Sequence, residues 1–174
     1  MALDVSSVLD IGAGGVHADA FRQHGKSVTT NNLYAADVVG DYLECSFEPH
    51  DLVWASHVLE HQPNPNLFLK KCYQDINEDG YFAVTVPPLK HEIVGGHVTL
   101  WNEGLLIYHC VLAGFDCSQA MVSSYGYNIS LIVQKRQANL PKLNMDYGDI
   151  ELLSEFFPIN VKHGFNGQTG DINW

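Results

Sequence analysis

Apolar residues follow two patterns along the first 136 positions: short continuous runs, which predict buried strands, and longer stretches with the three-to-four-residue spacing of a helix. The runs that predict strands are VLDI from Val8, SVTT, ADVVG, HDLVWAS and YFAVTVPP. The first predicted helix, HADAFRQHG, lies between two of these runs and ends at Gly25. A second helix is predicted to begin at Asn64 and Pro65, because asparagine caps free amides and proline suits the first helical turn.

The rest of this region predicts a third helix and a hairpin. Asn102 is expected to cap the helix GLLIYHCVLAG, and the segments CSQAMVSS and YNISLIVQKR form the hairpin. Strands that alternate with helices predict a Rossmann-like α/β fold, doubly wound around a mostly parallel sheet, whose ligands bind beyond the carboxyl ends of the strands. The hairpin is expected to add an antiparallel strand at the C-terminal end of this sheet.

The regular pattern stops near residue 136, so residues 1–136 are predicted to form one domain and residues 137–174 a C-terminal tail. Within the tail, DYGDIELLSEFF predicts one short helix, and LLSEFFPI offers an apolar surface. The tail is expected either to dock on this chain and cover part of the mouth of the active site, or to dock on a second subunit of a homodimer.

Charge and cysteine usage restrict the class of protein. The net charge of −11 opposes binding to a phosphate backbone, so no nucleic-acid partner is expected. The sequence has no apolar run of about 18 residues and no signal segment at its start, so no membrane association is expected. Its four cysteines form no C-x-x-C pair and lie in apolar stretches, which is typical of buried thiols in a reducing compartment. The expected location is the cytoplasm.

The segment LDIGAGG at the end of the first strand is a candidate ligand-binding turn. Gly12 and Gly14 let backbone amides approach a ligand closely, and Asp10 offers a carboxylate to a cationic group. A dinucleotide site would prefer a third glycine where this chain has His17, which argues against NAD. Taken alone, the pattern is equally compatible with an ordinary tight turn.

Together with three later segments, this turn makes the chain from Val8 to Lys135 resemble a class I S-adenosylmethionine-dependent methyltransferase of the small-molecule type, similar to the methyltransferase type 11 and type 23 families. The segments, in order, are VLDIGAGG, VVGD, HDLVWASHVLEHQPNP and INEDGYFAVTVPP. The resemblance implies S-adenosylmethionine as cofactor, with Gly12 and Gly14 along its methionine end and Asp10 near its ammonium group.

The resemblance also implies contacts to the rest of the cofactor. Asn32 stands where the family usually has an acid that grips the ribose hydroxyls, and Asp41 would hold the adenine amino group beside the amide of Tyr42. The segment at the end of the fourth strand adds Ser56 and His57 to the implied cofactor-binding residues. Val16, where the family often has its third glycine, and Asn32 are two departures that allow a weaker affinity for the cofactor.

The activity implied is transfer of a methyl group to an oxygen, with nitrogen as second choice, of a small molecule or a sugar. His61 and His97 are the candidate catalytic residues, since LEH and GGHVTLW fall where the family places its active-site loops. The alternative is a catalytically degenerate member of the fold that serves as a cofactor-binding or scaffold module. Asn32 and Val16 support this alternative. So does the early first strand, which begins at about residue seven and leaves no room for the family's usual N-terminal lid helices; a lid would have to come from PPLKHEIVGGHVTLW, the tail or a second subunit.

The string SHVLEH contains H-x-x-E-H, a spacing found in some zinc proteases. A protease would need this string on a long helix, but QPNP follows at once, so hydrolysis is not expected. One reading is that Glu60 and His61 only orient the loop. In another, the chain is similar to O-methyltransferases that act on quinone precursors and RNA 3′ ends, which hold a divalent metal with a Glu-His pair and a later histidine. Glu60, His61 and His97 match that set, and His57 replaces the family's first glutamate, which favours zinc over magnesium.

Overall fold

The computed structural model describes residues 3–174, which form one seven-stranded sheet with helices on both faces. The strands are β1 Ser7–Ile11, β2 Ser27–Asn32, β3 Val38–Val39, β4 His50–Ser56, β5 Ile76–Val86, β6 Met121–Tyr125 and β7 Asn128–Gln134. The helices are α1 Val16–Gln23, α2 Pro65–Gln74, α3 Glu103–Leu112 and α4 Asp149–Leu152, with single 3₁₀ turns at Leu59–His61 and Ser154–Phe156.

The strand order is β3-β2-β1-β4-β5-β7-β6. The first five strands are parallel, whereas β7 runs antiparallel to both of its neighbours, β5 and β6. The predicted Rossmann-like fold with an antiparallel C-terminal hairpin is therefore confirmed. The order reverses between β1 and β4, and ligands of such sheets bind at the carboxyl ends of the strands beside that reversal.

Side-chain caps fix where two of the helices begin. Asn64 Oδ1 accepts a hydrogen bond from the amide of Leu67 at 3.1 Å, and Pro65 is the first residue of α2. Asn102 Oδ1 likewise accepts from the amide of Leu105 at 2.8 Å at the start of α3. Each cap satisfies an amide that has no partner inside its helix, so both predicted starting points are confirmed.

The fifth strand is longer than its apolar run. β5 starts at Ile76, so the polar segment NEDG, which precedes the predicted strand YFAVTVPP, belongs to this strand as well. The pairing with β4 shifts register after His50, and Asp79 takes a positive φ of 62° within the shifted part. This irregularity lets a strand continue through residues that usually break one.

The core lies mainly between the sheet and the α2–α3 face, with a smaller cluster under α1 around Val8 and Leu52. The tail contributes to the larger part through Leu153, Phe157 and Val161, all buried. Nearer its end, the tail pairs with the edge strand β6 through an isolated bridge to Val122. The tail thus docks on its own chain. None of the helices in residues 3–174 has both the length and the apolarity to span a bilayer.

Candidate functional site

The turn after β1 is shaped by Gly12. Its φ is +73°, and its amide donates to the carbonyl of Asn31 at 2.9 Å, as does that of Ala13 at 3.1 Å. A Cβ at position 12 would overlap with Cγ2 of Val58. Glycine is required here both by the left-handed backbone and by the close approach of the loop after β4.

This turn borders an open cleft of about 370 Å³, which we call the glycine-loop cleft. It lies at the carboxyl ends of β1, β2 and β4. Five of the predicted cofactor-binding residues line it: Gly12, Asn32, Asp41, Tyr42 and His57. The predicted catalytic residue His61 lines it as well, together with Leu33 and Val58, which the sequence did not single out.

The other three predicted cofactor-binding residues do not line the cleft. Asp10 is 2% exposed and lies on the α1 face of the sheet, where burial raises its pKa to about 6 against the opposing charges of His17 and Arg22. Gly14 is exposed with open space around it, and Ser56 is half-buried at the end of β4. Their contacts with a cofactor remain predictions.

Two adjacent asparagines end β2, and their side chains have different partners. Asn31 is buried, and its Nδ2 donates to the carbonyls of Val38 and Gly40, each at 3.1 Å, which fixes the loop to β3. Asn32 is partly exposed, and its Nδ2 donates to the carbonyl of Ala13 at 2.9 Å. Asn32 therefore ties the glycine turn to β2 while it borders the cleft.

Tyr42 anchors the far wall of the cleft. Its hydroxyl donates to Asp75 Oδ2 at 2.6 Å in a buried setting, and Lys71 Nζ lies 4.6 Å from its ring centroid. Burial raises the pKa of Tyr42, and the neighbouring Cys72 and the hydrogen bond to Asp75 raise it further. Next to it, Asp41 Oδ1 accepts from the amide of Leu43 at 2.9 Å, which shapes the exposed turn at the cleft wall.

The loop after β4 carries a carboxylate in an unusual setting. Glu60 has no exposed surface; its Oε1 lies 3.2 Å from His57 Nδ1, and its Oε2 has no hydrogen-bond partner among residues 3–174. A buried carboxylate oxygen without a hydrogen-bond partner costs folding free energy unless a nearby cation compensates its charge. The surroundings of Glu60 therefore favour the binding of a positively charged group.

Two histidines lie beside this carboxylate. His61 Nδ1 is 2.8 Å from the carbonyl of Gly96, so it carries the hydrogen and leaves Nε2 as the free nitrogen, 3.9 Å from Glu60 Oε1. The ring centroids of His61 and His97 are 4.9 Å apart, edge to face. One ligand atom from each of Glu60, His61 and His97 lies within 4.8 Å of the others. The three predicted metal ligands are therefore brought together.

His57 lies beside the candidate metal ligands as well as on the wall of the cleft. Its ring nitrogens are engaged by Glu60 Oε1 and, at 2.9 Å, by Asn128 Oδ1, and it does not belong to the three-residue group. The string SHVLEH runs from the end of β4 into a single 3₁₀ turn, not along a helix. That conformation is not the long helix of a zinc protease.

The segment after β5 forms a second cavity, which we call the 87–100 cavity, of about 200 Å³. His97 lines it, together with Lys90, Ile93, Val98 and, from the turn between β6 and β7, Tyr127. Val98, Thr99 and Leu100 belong to the segment GGHVTLW that the sequence placed at an active-site loop, whereas Tyr127 was not predicted, since it reaches the cavity only through the folded hairpin. One histidine of the contacting pair thus lines each of the two cavities.

Proteins that are similar to this chain in sequence or fold include methyltransferases. Residues 9–84 match the family model described as a methyltransferase domain. The chain is 31% identical to the ubiquinone biosynthesis O-methyltransferase of Glaesserella parasuis over an alignment that covers 45% of this chain and 44% of that protein. The chain thus matches less than half the length of this curated relative.

Two solved structures have similar folds. One is the 1,6-didemethyltoxoflavin-N1-methyltransferase of Burkholderia thailandensis with S-adenosylhomocysteine bound, at a TM-score of 0.64 and 18% identity over 76% of this chain and 72% of that one. The other is a Bacillus halodurans protein described as a putative methyltransferase. Its TM-score is 0.63 and its sequence identity 16%, and the match covers 78% of this chain and 95% of that one.

Proposed function

We propose that this chain is a class I S-adenosylmethionine-dependent methyltransferase that transfers a methyl group to an oxygen of a small molecule. Its fold and the match of residues 9–84 to a methyltransferase domain support the assignment to this class. The observation that supports this most is the contact between His61 and His97, one on the wall of each cavity. Methyl transfer requires that donor and acceptor meet in line at about 3 Å. The two cavities offer separate sites for donor and acceptor that adjoin at this pair.

The cofactor is placed in the glycine-loop cleft. S-adenosylmethionine supplies an already activated methyl group, so the chain has mainly to bind and orient it. Gly12 lies at the methionine end, Asn32 near the ribose and Asp41 near the adenine. Leu33 is 57% exposed on the cleft wall and offers apolar surface to the adenine ring. The bound S-adenosylhomocysteine of the Burkholderia neighbour supports this choice of cofactor.

A divalent metal is placed at Glu60, His61 and His97. The residues fit such an ion because Glu60 Oε2 is buried without a partner and the Gly96 carbonyl fixes His61 with Nε2 free. Two imidazoles and one carboxylate suit zinc or a neighbouring transition metal. A bound ion would lower the pKa of an acceptor hydroxyl and orient it.

The choice of oxygen over nitrogen rests on the same cluster. A hydroxyl must lose its proton before or during methylation, and Glu60, His61 and His97 lie where they could assist that loss. His57, held between Glu60 and Asn128, keeps the carboxylate in position. The similarity to an O-methyltransferase supports this choice, although the Burkholderia neighbour methylates nitrogen.

Calorimetry with S-adenosylhomocysteine and metal analysis of the purified protein test the proposal. We expect one bound cofactor product and about one metal ion per chain, with the metal lost in His61→Ala and His97→Ala. His24→Ala, on the exposed end of α1, is the matched control and should retain both.

Each failure has a distinct meaning. Absence of cofactor binding would favour the scaffold module over an enzyme. Cofactor binding without stoichiometric metal, and activity unaffected by a chelator, would leave His61 and His97 as a metal-free acid–base pair.

A further inference from the structure

The 87–100 cavity has mainly apolar walls. Six of its twelve lining residues are prolines or aliphatic residues, and carbon atoms make up most of the lining surface. Ile93 is 97% exposed, Val98 60% and Leu100 51%, so an unusual amount of aliphatic surface faces water around one opening. Contiguous surface of this kind favours a ligand with an apolar body over a sugar, whose hydroxyls need many partners.

One cation lies against this apolar lining. Lys90 Nζ is 4.2 Å from the ring centroid of Tyr127, and both residues line the cavity. Lys71 and Lys135 are bound to carboxylates, whereas Lys90 has no ion pair within residues 3–174. The attraction between the ammonium group and the ring keeps the charge at the cavity without neutralising it.

Contacts connect this lysine to the candidate metal ligands. The ring of Tyr127 is nearly parallel to that of His57, at 12° and 6.4 Å between centroids, and His57 in turn contacts Glu60. Lys90 thus lies over the ring of Tyr127 and lines the same cavity as His97. An acceptor bound in this cavity could contact both residues.

We propose that the methyl acceptor is a small apolar carboxylic acid whose carboxylate binds Lys90 while its hydroxyl faces His97; this inference rests on the proposed methyltransferase function. A single ammonium group matches one carboxylate better than a doubly charged phosphate, since no second lysine or arginine lines the cavity. Glu92, the one acid in the lining, is exposed to water, which screens its repulsion of the ligand.

The test compares two probes that differ only in charge, 3,4-dihydroxybenzoate and 3,4-dihydroxybenzamide. Binding is measured by calorimetry in the presence of S-adenosylhomocysteine, and methyl transfer by the KM for each probe. We expect the benzoate to bind about tenfold more tightly than the benzamide, as for a charge-assisted hydrogen bond. Lys90→Met should abolish this preference and leave benzamide binding unchanged, and Glu92→Gln should strengthen benzoate binding.

Lys70→Met is the matched control, because Lys70 is exposed at a separate cavity and should not affect either probe. Equal binding of the two probes, no binding of either one, or a preference that survives in Lys90→Met would overturn the inference. Methyl transfer to both probes with equal KM would overturn the inference about the carboxylate but would support the proposed methyltransferase function. Benzoate binding that depends on Lys90, without any methyl transfer, would instead remove the proposed function and leave an anion site.

Discussion

At the scale of single residues, the contact between Gly12 and Val58 determines what a substitution in the glycine turn can reveal. Gly12→Val would be expected to block the methionine moiety of a bound cofactor, but the new side chain would overlap with Val58 before any cofactor is present. Gly12→Ala is the milder test, and we expect it to lower the free energy of unfolding by about 2 kcal/mol through its φ of +73° and this overlap.

Urea denaturation measures this loss, and adding Val58→Ala should recover the steric part but not the backbone part. Gly14→Ala, which meets open space, should leave stability unchanged. A Gly12→Ala protein as stable as the wild type would show that the turn relaxes freely.

Asn32→Asp separates the proposed ribose contact of Asn32 from its hydrogen bond to the glycine turn. The carboxylate should bind the ribose hydroxyls more strongly than the amide, so we expect S-adenosylhomocysteine to bind several-fold more tightly. The same change removes the hydrogen bond to the Ala13 carbonyl and should destabilise the cofactor-free protein by about 1 kcal/mol. Calorimetry and thermal unfolding measure the two effects independently. Weaker cofactor binding would indicate that loss of the hydrogen bond to Ala13 disturbs the glycine turn, and that this costs more binding free energy than the carboxylate adds at the ribose.

Asp10 should make stability depend on pH. Burial raises its pKa from 3.8 to about 6 in the folded chain, so the folded state holds the proton more tightly than the unfolded state. Its contribution is therefore most favourable below pH 3.8, falls as the pH rises to about 6 and is constant above that. Asp10→Asn should be more stable than the wild type by up to about 3 kcal/mol at pH 8, with no difference at pH 3.

Urea denaturation across this pH range measures the effect, with the exposed Asp19→Asn on α1 as control. An Asp10→Asn protein whose stability relative to the wild type does not change with pH would argue that the buried carboxylate keeps an ordinary pKa.

At the scale of elements, α3 and the tail meet at Gly104. Its amide donates to the carbonyl of Gly167 at 2.7 Å, and a Cβ there would overlap with Phe165. Alanine usually stabilises a helix relative to glycine by about 1 kcal/mol, but in Gly104→Ala we expect the tail to be displaced instead. Limited proteolysis should cleave residues 163–174 faster than in the wild type, and Gly14→Ala should not change the rate. Unchanged protection would mean that the tail is held mainly by its earlier residues.

At the scale of the whole molecule, locally encoded features could be predicted from the sequence and long-range ones could not. The caps at Asn64 and Asn102 and the strand β4 depend on neighbouring residues, so their pattern is sufficient. The start of β5 depends on a register shift against β4. The role of His57 depends on Asn128, which is 71 residues away, and no local pattern indicates that contact.

The site residues divide in the same way. Glu60, His61 and the two asparagines that end β2 lie in motifs whose spacing indicates the ligand-binding edge of the sheet, so the sequence could propose them. Lys90 and Tyr127 become neighbours only when the hairpin packs beside the segment after β5, and the sequence does not suggest their contact.

The insertion of β7 between β5 and β6 has a consequence for the order in which the chain acquires structure during synthesis. Asn128 leaves the ribosome 71 residues after His57, an interval of between about 4 and 14 s at ordinary elongation rates. Until then β6 cannot pair in its final place, and one edge of β5 stays open to other nascent chains. The pairing of β7 with β5 and β6 completes the sheet and brings Asn128 to His57 in one late step. We therefore expect a chain that is stalled before β7 to be inactive and prone to aggregate.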